Sequence, residues 1–359
     1  MIIVDSHEDI AFNALSYGRD YLRSAWATRQ LEAGSDTPAR NGQCMLGLPE
    51  WMLGRTAVIF STLFAAPKRR ASRWETEIYS DAAEAYRVYS REFDFYSRLV
   101  DENQQFSLVS TRADLEAALL TWDDPLNVEG RRIALVPLME GADGIRAPGE
   151  AAEWMERGVR MVSLSWAGTR YAGGTGEPGP LTAEGRDLLD VMAEVGLMLD
   201  LSHASEESYH QALDHFPGTV LASHSNPRAL CTPAVADRNL TDTQIMRLVE
   251  RGGVIGVVLF NGFLKTGWRL SDGKAAVTLE HVVAAVDHIC QLTGSANHVG
   301  IGSDFDGGFG AEATPAELDT VSDLMLLESA LAERGYGPDE VEAVLGGNWL
   351  ALLRRGLPA

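Results

Sequence analysis

Histidine and carboxylate side chains follow five short apolar segments of this chain. The segments read IIVDSHED, IALVPLMEG, LMLDLSH, TVLASHS and VGIGSDFD. The polar residues at their ends are His7, Asp9, Glu140, His203, His224 and Asp304. Each apolar run resembles a buried parallel strand, and the carboxyl ends of such strands build the active site of an α/β barrel. Since imidazoles and carboxylates bind zinc and similar ions, the pattern indicates one metal-assisted hydrolytic centre.

Two pairs of these residues are spaced so that each pair could bind a cation. His7 and Asp9 lie two residues apart, so their side chains point the same way along a strand. His203 and His224 end consecutive apolar runs, which are neighbouring strands in a barrel, and could converge on a second cation. Glu140 could bridge the two cations through its two oxygens, which would offset the cost of burying its charge. The alternatives are a loop-capping His7–Asp9 pair, structural histidines and a Glu140 ion pair within the barrel.

Two further residues could handle protons and a substrate anion. Asp304, in GSDFDGG, could take a proton from a nucleophilic water and pass it to the leaving amine, unless it only caps the loop. Asp306 could face the same way, but it lies in the Gly-rich loop, and Asp304 is preferred. Arg238, in ADRNLTD, could hold a substrate carboxylate through two parallel hydrogen bonds. The alternative is a surface arginine paired with Asp237 or Asp242.

Short runs rich in Val, Ile and Leu predict eight parallel strands. They cover residues 2–6, 57–65, 133–139, 159–165, 197–202, 219–224, 254–260 and 298–303. Helical patterns separate most of them, including one over 72–102. Thr182 and Ser205 are predicted N-caps, and Thr241 with Gln244 predicts a capping box.

Regular alternation of strands and helices predicts a single (β/α)8 barrel domain over 1–359, with its site at the carboxyl ends of the strands. An open doubly wound sheet would also alternate, but no glycine-rich phosphate loop follows the first strand. Residues 173–181, GGTGEPGPL, predict a loop at the mouth of the site. Residues 18–56 predict a long loop with a short helix. Helices near 315–334 and 338–355 are predicted to close the chain.

The charge and cysteine content restrict the partners. A formal net charge of −21 over 359 residues argues against nucleic acid and anionic membrane surfaces as partners. The cysteines Cys44, Cys231 and Cys290 lack metal-site spacing, which predicts reduced thiols in a cytoplasmic protein. Neither a signal peptide nor a membrane span is expected.

Taken together, the motifs resemble those of the membrane (renal) dipeptidase family, a dizinc branch of the amidohydrolase-type barrels. The most specific are DSHED, MEG, LDLSH, SHSN, DRNLTD and IGSDFDGG, in the order found in the family, and the resemblance continues to GGNWLALLR near the C-terminus. It implies a soluble intracellular relative that lacks the family's secretion and lipid-anchor signals. It also implies a small dipeptide as substrate and a homodimer.

The resemblance assigns the metal ligands. It implies that His7 and Asp9 bind one zinc ion, that His203 and His224 bind the other, and that Glu140 bridges them.

The resemblance also assigns the residues that meet the substrate. Asp304 would be the catalytic acid/base, and Arg238 would bind the C-terminal carboxylate of a dipeptide. Trp166 stands where mammalian members carry a histidine that contacts the substrate carbonyl oxygen. A tryptophan can line a substrate pocket and donate one N–H, but it cannot become cationic.

The expected activity is therefore that of a zinc-dependent dipeptidase in which a metal-bridging hydroxide attacks the peptide bond, with D-residues at the C-terminal position among the substrates. The first alternative keeps the metal site but hydrolyses another small amide, lactam or lactone, or decarboxylates its substrate. The second alternative is a catalytically silent binding or scaffold protein.

Overall fold

Parallel strands form the centre of the protein, which a computed structural model describes over residues 1–232 and 236–359. The strands are β1 (Ile3–Glu8), β2 (Thr56–Phe64), β3 (Ala66–Pro67), β4 (Ile78–Tyr79), β5 (Phe106–Leu108), β6 (Ile133–Glu140), β7 (Met161–Ser163), β8 (Met198–Asp200), β9 (Val220–Leu221), β10 (Ile255–Val257) and β11 (Val299–Ile301). All eight strands predicted from the apolar runs are present, and the later ones are shorter than predicted.

These eight strands close into a barrel. Their hydrogen-bonded order is β10-β11-β1-β2-β6-β7-β8-β9, and every neighbouring pair is parallel. A parallel bridge between Ala222 and Ile255 joins the end of β9 to β10. Strand β5 adds to β6 outside this order, and β3 pairs with β4 separately. The prediction of a (β/α)8 barrel is confirmed.

Helices surround the barrel. They are α1 (Ile10–Tyr17), α2 (Ala25–Glu32), α3 (Thr37–Asn41), α4 (Leu48–Leu53), α5 (Ala82–Glu102), α6 (Arg112–Leu120), α7 (Ala151–Arg157), α8 (Ala183–Val195), α9 (Glu206–His215), α10 (Asp242–Glu250), α11 (Asn261–Leu264), α12 (Leu279–Thr293), α13 (Leu326–Arg334), α14 (Pro338–Glu342) and α15 (Asn348–Gly356). Within the two described ranges, no helix has both the length and the apolar character needed to cross a bilayer.

Helix starts follow local side-chain chemistry in most of the predicted places. The hydroxyl of Thr182 accepts from Gly185 N at the start of α8, and Thr241 with Gln244 forms the predicted capping box of α10. Ser205 is the N-cap of α9 by position, but its side chain makes no capping hydrogen bond. Instead it donates to the carbonyl of Gly179 at 2.8 Å and so ties α9 to the 173–181 loop.

Three predicted segments differ from the structure. Residues 18–56 contain three helices, α2 to α4, rather than a long loop with a short helix. The helix predicted over 72–102 begins only at Ala82, where Asp81 caps it by accepting from Glu84 N. The helix predicted over 315–334 begins at Leu326, after a 3-10 turn over Val321–Met325.

The barrel interior is packed tightly under the site. A Cβ at Gly256 or Gly302 would lie 1.9 Å or 2.0 Å from the carbonyl oxygen of Ser223. Because the Cβ of any other residue would collide there, these two glycines leave room for the Ser223 carbonyl, which follows β9. Cys44, Cys231 and Cys290 are buried and unpaired in the structure.

Candidate metal centre

The barrel brings all six predicted chemical side chains to one end. His7 is the second-last residue of β1, and Asp9 follows that strand directly. Glu140 is the last residue of β6. His203, His224 and Asp304 follow the ends of β8, β9 and β11. All six are buried, with at most 9% of their surface exposed. The carboxyl ends of parallel strands therefore converge as the sequence predicts.

Glu140 lies between two groups of ligand atoms. Its Oε1 is 3.1 Å from His203 Nε2 and 3.2 Å from His224 Nε2. Its Oε2 is 3.7 Å from His7 Nε2, and that nitrogen is 3.9 Å from Asp9 Oδ1. Oε1 thus faces His203 and His224, whereas Oε2 faces His7, which in turn lies near Asp9. Two oxygens that face different histidines are what a bridging carboxylate requires.

The imidazole rings lie so close together that two facing ring nitrogens cannot both carry a proton. His203 Nε2 and His224 Nε2 are 3.0 Å apart. The His7 and His224 rings stack with their centroids 3.6 Å apart. Two N–H groups cannot point at each other at this distance, so at least one of the facing nitrogens offers a lone pair.

The donor atoms fit a divalent metal. Among the described residues, the buried atoms without a hydrogen-bond partner include both ring nitrogens of His7 and Oε1 of Glu140. Buried polar atoms usually have a partner, so these orphans mark places where an ion would satisfy them. Atoms bound tetrahedrally to one zinc ion at ~2.1 Å lie about 3.4 Å apart, close to the spacing described above. In the part of the chain that the structure describes, two clusters have ligand atoms all within 4.8 Å of one another: His7, Glu140 and His224, and His7, Asp9 and Asp304.

Arg238 compensates only part of the carboxylate charge in the centre, since the pKa values of Glu140 and Asp304 stay raised beside it. Burial lowers the pKa of the three histidines well below the usual value, so they are neutral, as metal ligands must be. Burial raises the pKa of Asp9 to about 6 and raises the pKa values of Glu140 and Asp304 well above their usual range. A divalent cation among these carboxylates would supply the missing positive charge.

Asp304 and Arg238 flank the cluster. Asp304 Oδ1 is 3.9 Å from His7 Nε2, and its Oδ2 is 4.0 Å from Arg238 Nη2. Arg238 Nη1 donates to the carbonyl of His224 at 2.8 Å, and the guanidinium lies 4.9 Å from the centroid of the Phe263 ring. With only 4% of its surface exposed, Arg238 is not the surface arginine of the alternative interpretation.

Asp306 is committed elsewhere. It is fully buried and binds Arg19 Nη1 at 2.9 Å, the Tyr21 hydroxyl at 2.9 Å and Met45 N at 2.9 Å. Asp304 lines the site cavity, whereas Asp306 fastens the loop after β11 to the segment that carries α2 and α3. Both have a positive φ near 60°, a strained backbone that this anchoring maintains.

A cavity of about 500 Å³ opens over the cluster. Its aromatic lining consists of Phe12, Phe64, Trp166, Phe260, Phe263 and Phe309. Arg40, Arg70 and Glu75 also line it. The cavity has room for a small peptide beside the ligand atoms, with apolar walls and charged groups at its polar positions.

Comparison with known proteins identifies the family. The family model for membrane dipeptidases, peptidase family M19, matches residues 1–356. The chain belongs to the membrane dipeptidase family. The expectation of a metal-dependent dipeptidase is thereby confirmed at the level of the family.

Proteins similar to this membrane dipeptidase occur in bacteria and animals. A Klebsiella pneumoniae protein from the pqqA 5′ region is 33% identical over 237 residues, which are 63% of this chain and 83% of that protein. Dipeptidase 3 of Rattus norvegicus is 30% identical over 250 residues, which are 67% of this chain and 48% of that enzyme. The match thus spans about half the length of the rat dipeptidase.

Solved structures share the fold. A metallopeptidase from Rhodobacter sphaeroides, crystallised with a phosphinate mimic of the dipeptide L-Ala-D-Ala, is 23% identical. It superposes with a TM-score of 0.77 over 99% of both chains. The likeness establishes that the two chains have the same barrel architecture.

Trp166, for which the sequence predicts a departure from the mammalian members of the family, lies in the cavity wall. Its ring is half-buried, packs 5.2 Å from Phe64 and lies 6.1 Å from the His203 ring. At this membrane dipeptidase site it provides an apolar wall beside the ligand atoms. Charge at that side of the cavity must come from other residues.

Residues that support the ligands were missed by the sequence reasoning. Thr62 donates to Asp9 Oδ1 at 2.5 Å, and Thr175 lies 3.0 Å from His203 Nδ1. Ser223 lies 2.8 Å from His224 Nδ1. Thr175 belongs to the 173–181 loop, which the sequence did predict at the mouth. Small polar residues beside predicted strand ends were the available signal.

Proposed function

We propose that this protein is a zinc-dependent dipeptidase that hydrolyses the peptide bond of short substrates, including some with a D-residue at the C-terminal position. In this proposal His7 and Asp9 would hold one ion, His203 and His224 would hold a second, and Glu140 would bind both. Ions at these positions would supply Lewis acidity and an acidified water. The observation that carries the proposal is that one oxygen of Glu140 faces His203 and His224 while the other faces His7.

Asp304 is the proposed proton carrier. It lines the cavity, and its Oδ1 lies 3.9 Å from His7 Nε2. A carboxylate in this position can accept a proton from the attacking water and return it to the leaving amine. The geometry that supports this role is its placement beside the ligand atoms, where the nearest arginine or lysine nitrogen among the described side chains, Arg238 Nη2, is 4.0 Å from its Oδ2.

Arg238 is proposed to bind the free carboxylate of the substrate. One of its terminal nitrogens is engaged by the His224 carbonyl, and the other, Nη2, is buried with no hydrogen-bond partner among the described residues. A buried donor without a partner favours an anionic ligand. If Arg238 binds the C-terminal carboxylate this close to the ligand atoms, few residues can lie between the scissile bond and the C-terminus of the substrate.

Metal removal tests the proposal. The enzyme should lose dipeptide hydrolysis after chelation and regain it with zinc, and metal analysis should find two ions per chain. A panel of L,L- and L,D-dipeptides would define the substrates. Substitution of His224→Ala should abolish metal uptake, whereas His215→Ala, which removes a half-exposed imidazole bound to Asp190 at 2.8 Å, should not. Unchanged turnover in the metal-free protein would refute the proposal.

A second candidate keeps the same centre but hydrolyses another small amide, lactam or lactone. The observation that favours it is Trp166, which lines the cavity but offers no cationic group to a substrate carbonyl. A substrate without a free carboxylate would not need Arg238, so retained activity in Arg238→Ala would favour this candidate. A homodimer and a cytoplasmic location remain predictions, which size measurement in solution and localisation in cells would test.

A further inference from the structure

A buried chain of hydrogen bonds lies behind His224. The Ser223 hydroxyl is 2.5 Å from Asp200 Oδ2 and 2.8 Å from His224 Nδ1. Asp200, Ser223 and His224 each have at most 1% of their surface exposed. The chain therefore runs from a carboxylate, through one hydroxyl, to a ring whose other nitrogen faces Glu140.

The direction of these hydrogen bonds follows from donor counting. A carboxylate only accepts, so Ser223 must donate its single proton to Asp200. Ser223 then has only lone pairs to offer, and the bond to His224 requires a proton on Nδ1. A neutral imidazole carries one proton, so Nε2 of His224 is left with a lone pair.

Neighbouring groups fix this arrangement. Asp200 Oδ1 accepts from Ser202 N at 3.0 Å and Ser223 N at 2.9 Å, which holds the carboxylate in place. The Ser202 hydroxyl accepts from His224 N at 3.1 Å and lies 3.2 Å from the Ser223 hydroxyl. Ser202 can therefore donate to Ser223, which agrees with Ser223 donating onward to Asp200.

We infer that Asp200 and Ser223 are positioning residues that hold His224 in its Nδ1–H tautomer and so prepare Nε2 to bind a metal ion. The inference deepens the proposed function and rests on the proposed metal centre. Partners of this kind orient a ligating imidazole and commonly change metal affinity by about 10- to 100-fold when removed.

Nuclear magnetic resonance of the metal-free wild-type protein tests the tautomer directly. Long-range proton–nitrogen correlations of the histidine rings distinguish Nδ1–H from Nε2–H, and a His224→Gln variant identifies the relevant signals. The Nδ1–H form of His224 is expected. A predominant Nε2–H form would overturn the inference, whether or not the protein proves to be a dipeptidase.

Two substitutions test the consequence for metal binding. Asp200→Asn keeps the shape but can place an N–H donor opposite Ser223. Ser223 must then accept from it and donate to Nδ1, which moves the ring proton to Nε2 and blocks the ligand atom. The zinc dissociation constant, measured by competition with a chromophoric chelator, should rise by about 10- to 100-fold. Ser223→Ala removes the hydrogen-bonded link between Asp200 and His224 but does not force the ring proton onto Nε2. Its effect on the zinc dissociation constant should therefore be smaller.

The matched control is Ser225→Ala, which removes a buried hydroxyl that has no hydrogen-bond partner among the described residues. It should bind zinc as the wild type does. Circular dichroism would establish that each variant is folded. If Asp200→Asn does not fold, the zinc affinity of Ser223→Ala and the His224 tautomer of the wild type test the inference instead. Wild-type zinc affinity and an unchanged ring tautomer in folded Asp200→Asn would overturn the inference. Failure of the wild-type protein to bind zinc would instead refute the proposed function.

Discussion

Replacing Arg238 with alanine is expected to remove the preference for substrates that carry a free C-terminal carboxylate. The guanidinium is buried, lies over the Phe263 ring, and uses Nη1 to hold the carbonyl of His224. Its Nη2 has no hydrogen-bond partner among the described residues. A substrate carboxylate would therefore bind to a guanidinium that is already desolvated and that still offers Nη2 as a hydrogen-bond donor.

The magnitude follows from the burial of this charge. Truncating one partner of a buried, hydrogen-bonded charge pair costs about 2–5 kcal/mol. At about 1.4 kcal/mol for each factor of ten, kcat/KM for a dipeptide should fall by roughly 30- to 5,000-fold in Arg238→Ala. Arg238→Lys should be intermediate, because one ammonium group cannot hold the His224 carbonyl and a bidentate carboxylate as well.

The assay compares a dipeptide with its C-terminal amide on the wild-type and variant enzymes. The wild type should prefer the acid by the factor just given, and Arg238→Ala should treat the two substrates nearly alike. Any damage to the neighbouring His224 backbone affects both substrates and cancels in the ratio. Arg247→Ala, which removes an arginine bound to Asp214 on the outer helices, serves as the control. Equal losses on the acid and the amide would refute the assignment, since Arg238 would then support the centre without reading the carboxylate.

Three further outcomes are expected. Asp304→Asn should lower kcat by about 10²- to 10⁴-fold with metal content unchanged, which turnover and metal analysis would check together. Asp306→Ala should destabilise the fold by about 3–5 kcal/mol in urea unfolding, because it leaves the buried Arg19 without this counterion. Burial, with a contribution from Glu77, raises the pKa of Glu92 well above its usual value, so the folded state holds this proton to a higher pH than the unfolded state. The contribution of Glu92 to stability should therefore fall as pH rises above about 4.3, and Glu92→Gln should unfold at a higher temperature than the wild type at pH 8 but not at pH 4; an equal gap at both pH values would contradict this.

The barrel could be predicted because its strands are buried on both faces. Such strands appear as continuous apolar runs, and strands 133–140 and 56–64 extend within one or two residues of the predicted bounds. The later strands are shorter because the chain leaves the sheet early to turn toward the cavity. At His203 the backbone reaches a φ of 65°, which re-aims the ring after β8 has ended.

The segment 18–56 could not be predicted because its helices depend on distant partners. Helices of five to eight residues, such as α2 and α3, are marginal on their own. They are stabilised by Arg19, which binds Glu32 at 2.8 Å and reaches Asp306, and by Arg29, which binds Asp319 at 2.9 Å. Hydrophobic periodicity contains none of this information. Over residues 72–81 the apolar spacing typical of a helix is present, but no helix forms there. The helix begins only after its N-cap, Asp81.

The repeated serine–histidine pair at the ends of β8 and β9 has a structural explanation that the sequence only hinted at. The two histidines have similar sequence contexts, LSHAS and ASHSN. Ser202 and Ser223 also contact each other, and both contact the second histidine, His224. If the sequence similarity reflected the metal ligands alone, replacing either serine would leave the ring tautomer of His224 and zinc affinity untouched. The hydrogen-bond directions require instead that the serine preceding each ligand belongs to the same buried network, so Ser202→Ala should loosen His224, the ligand that is distant in sequence, and weaken zinc binding with it.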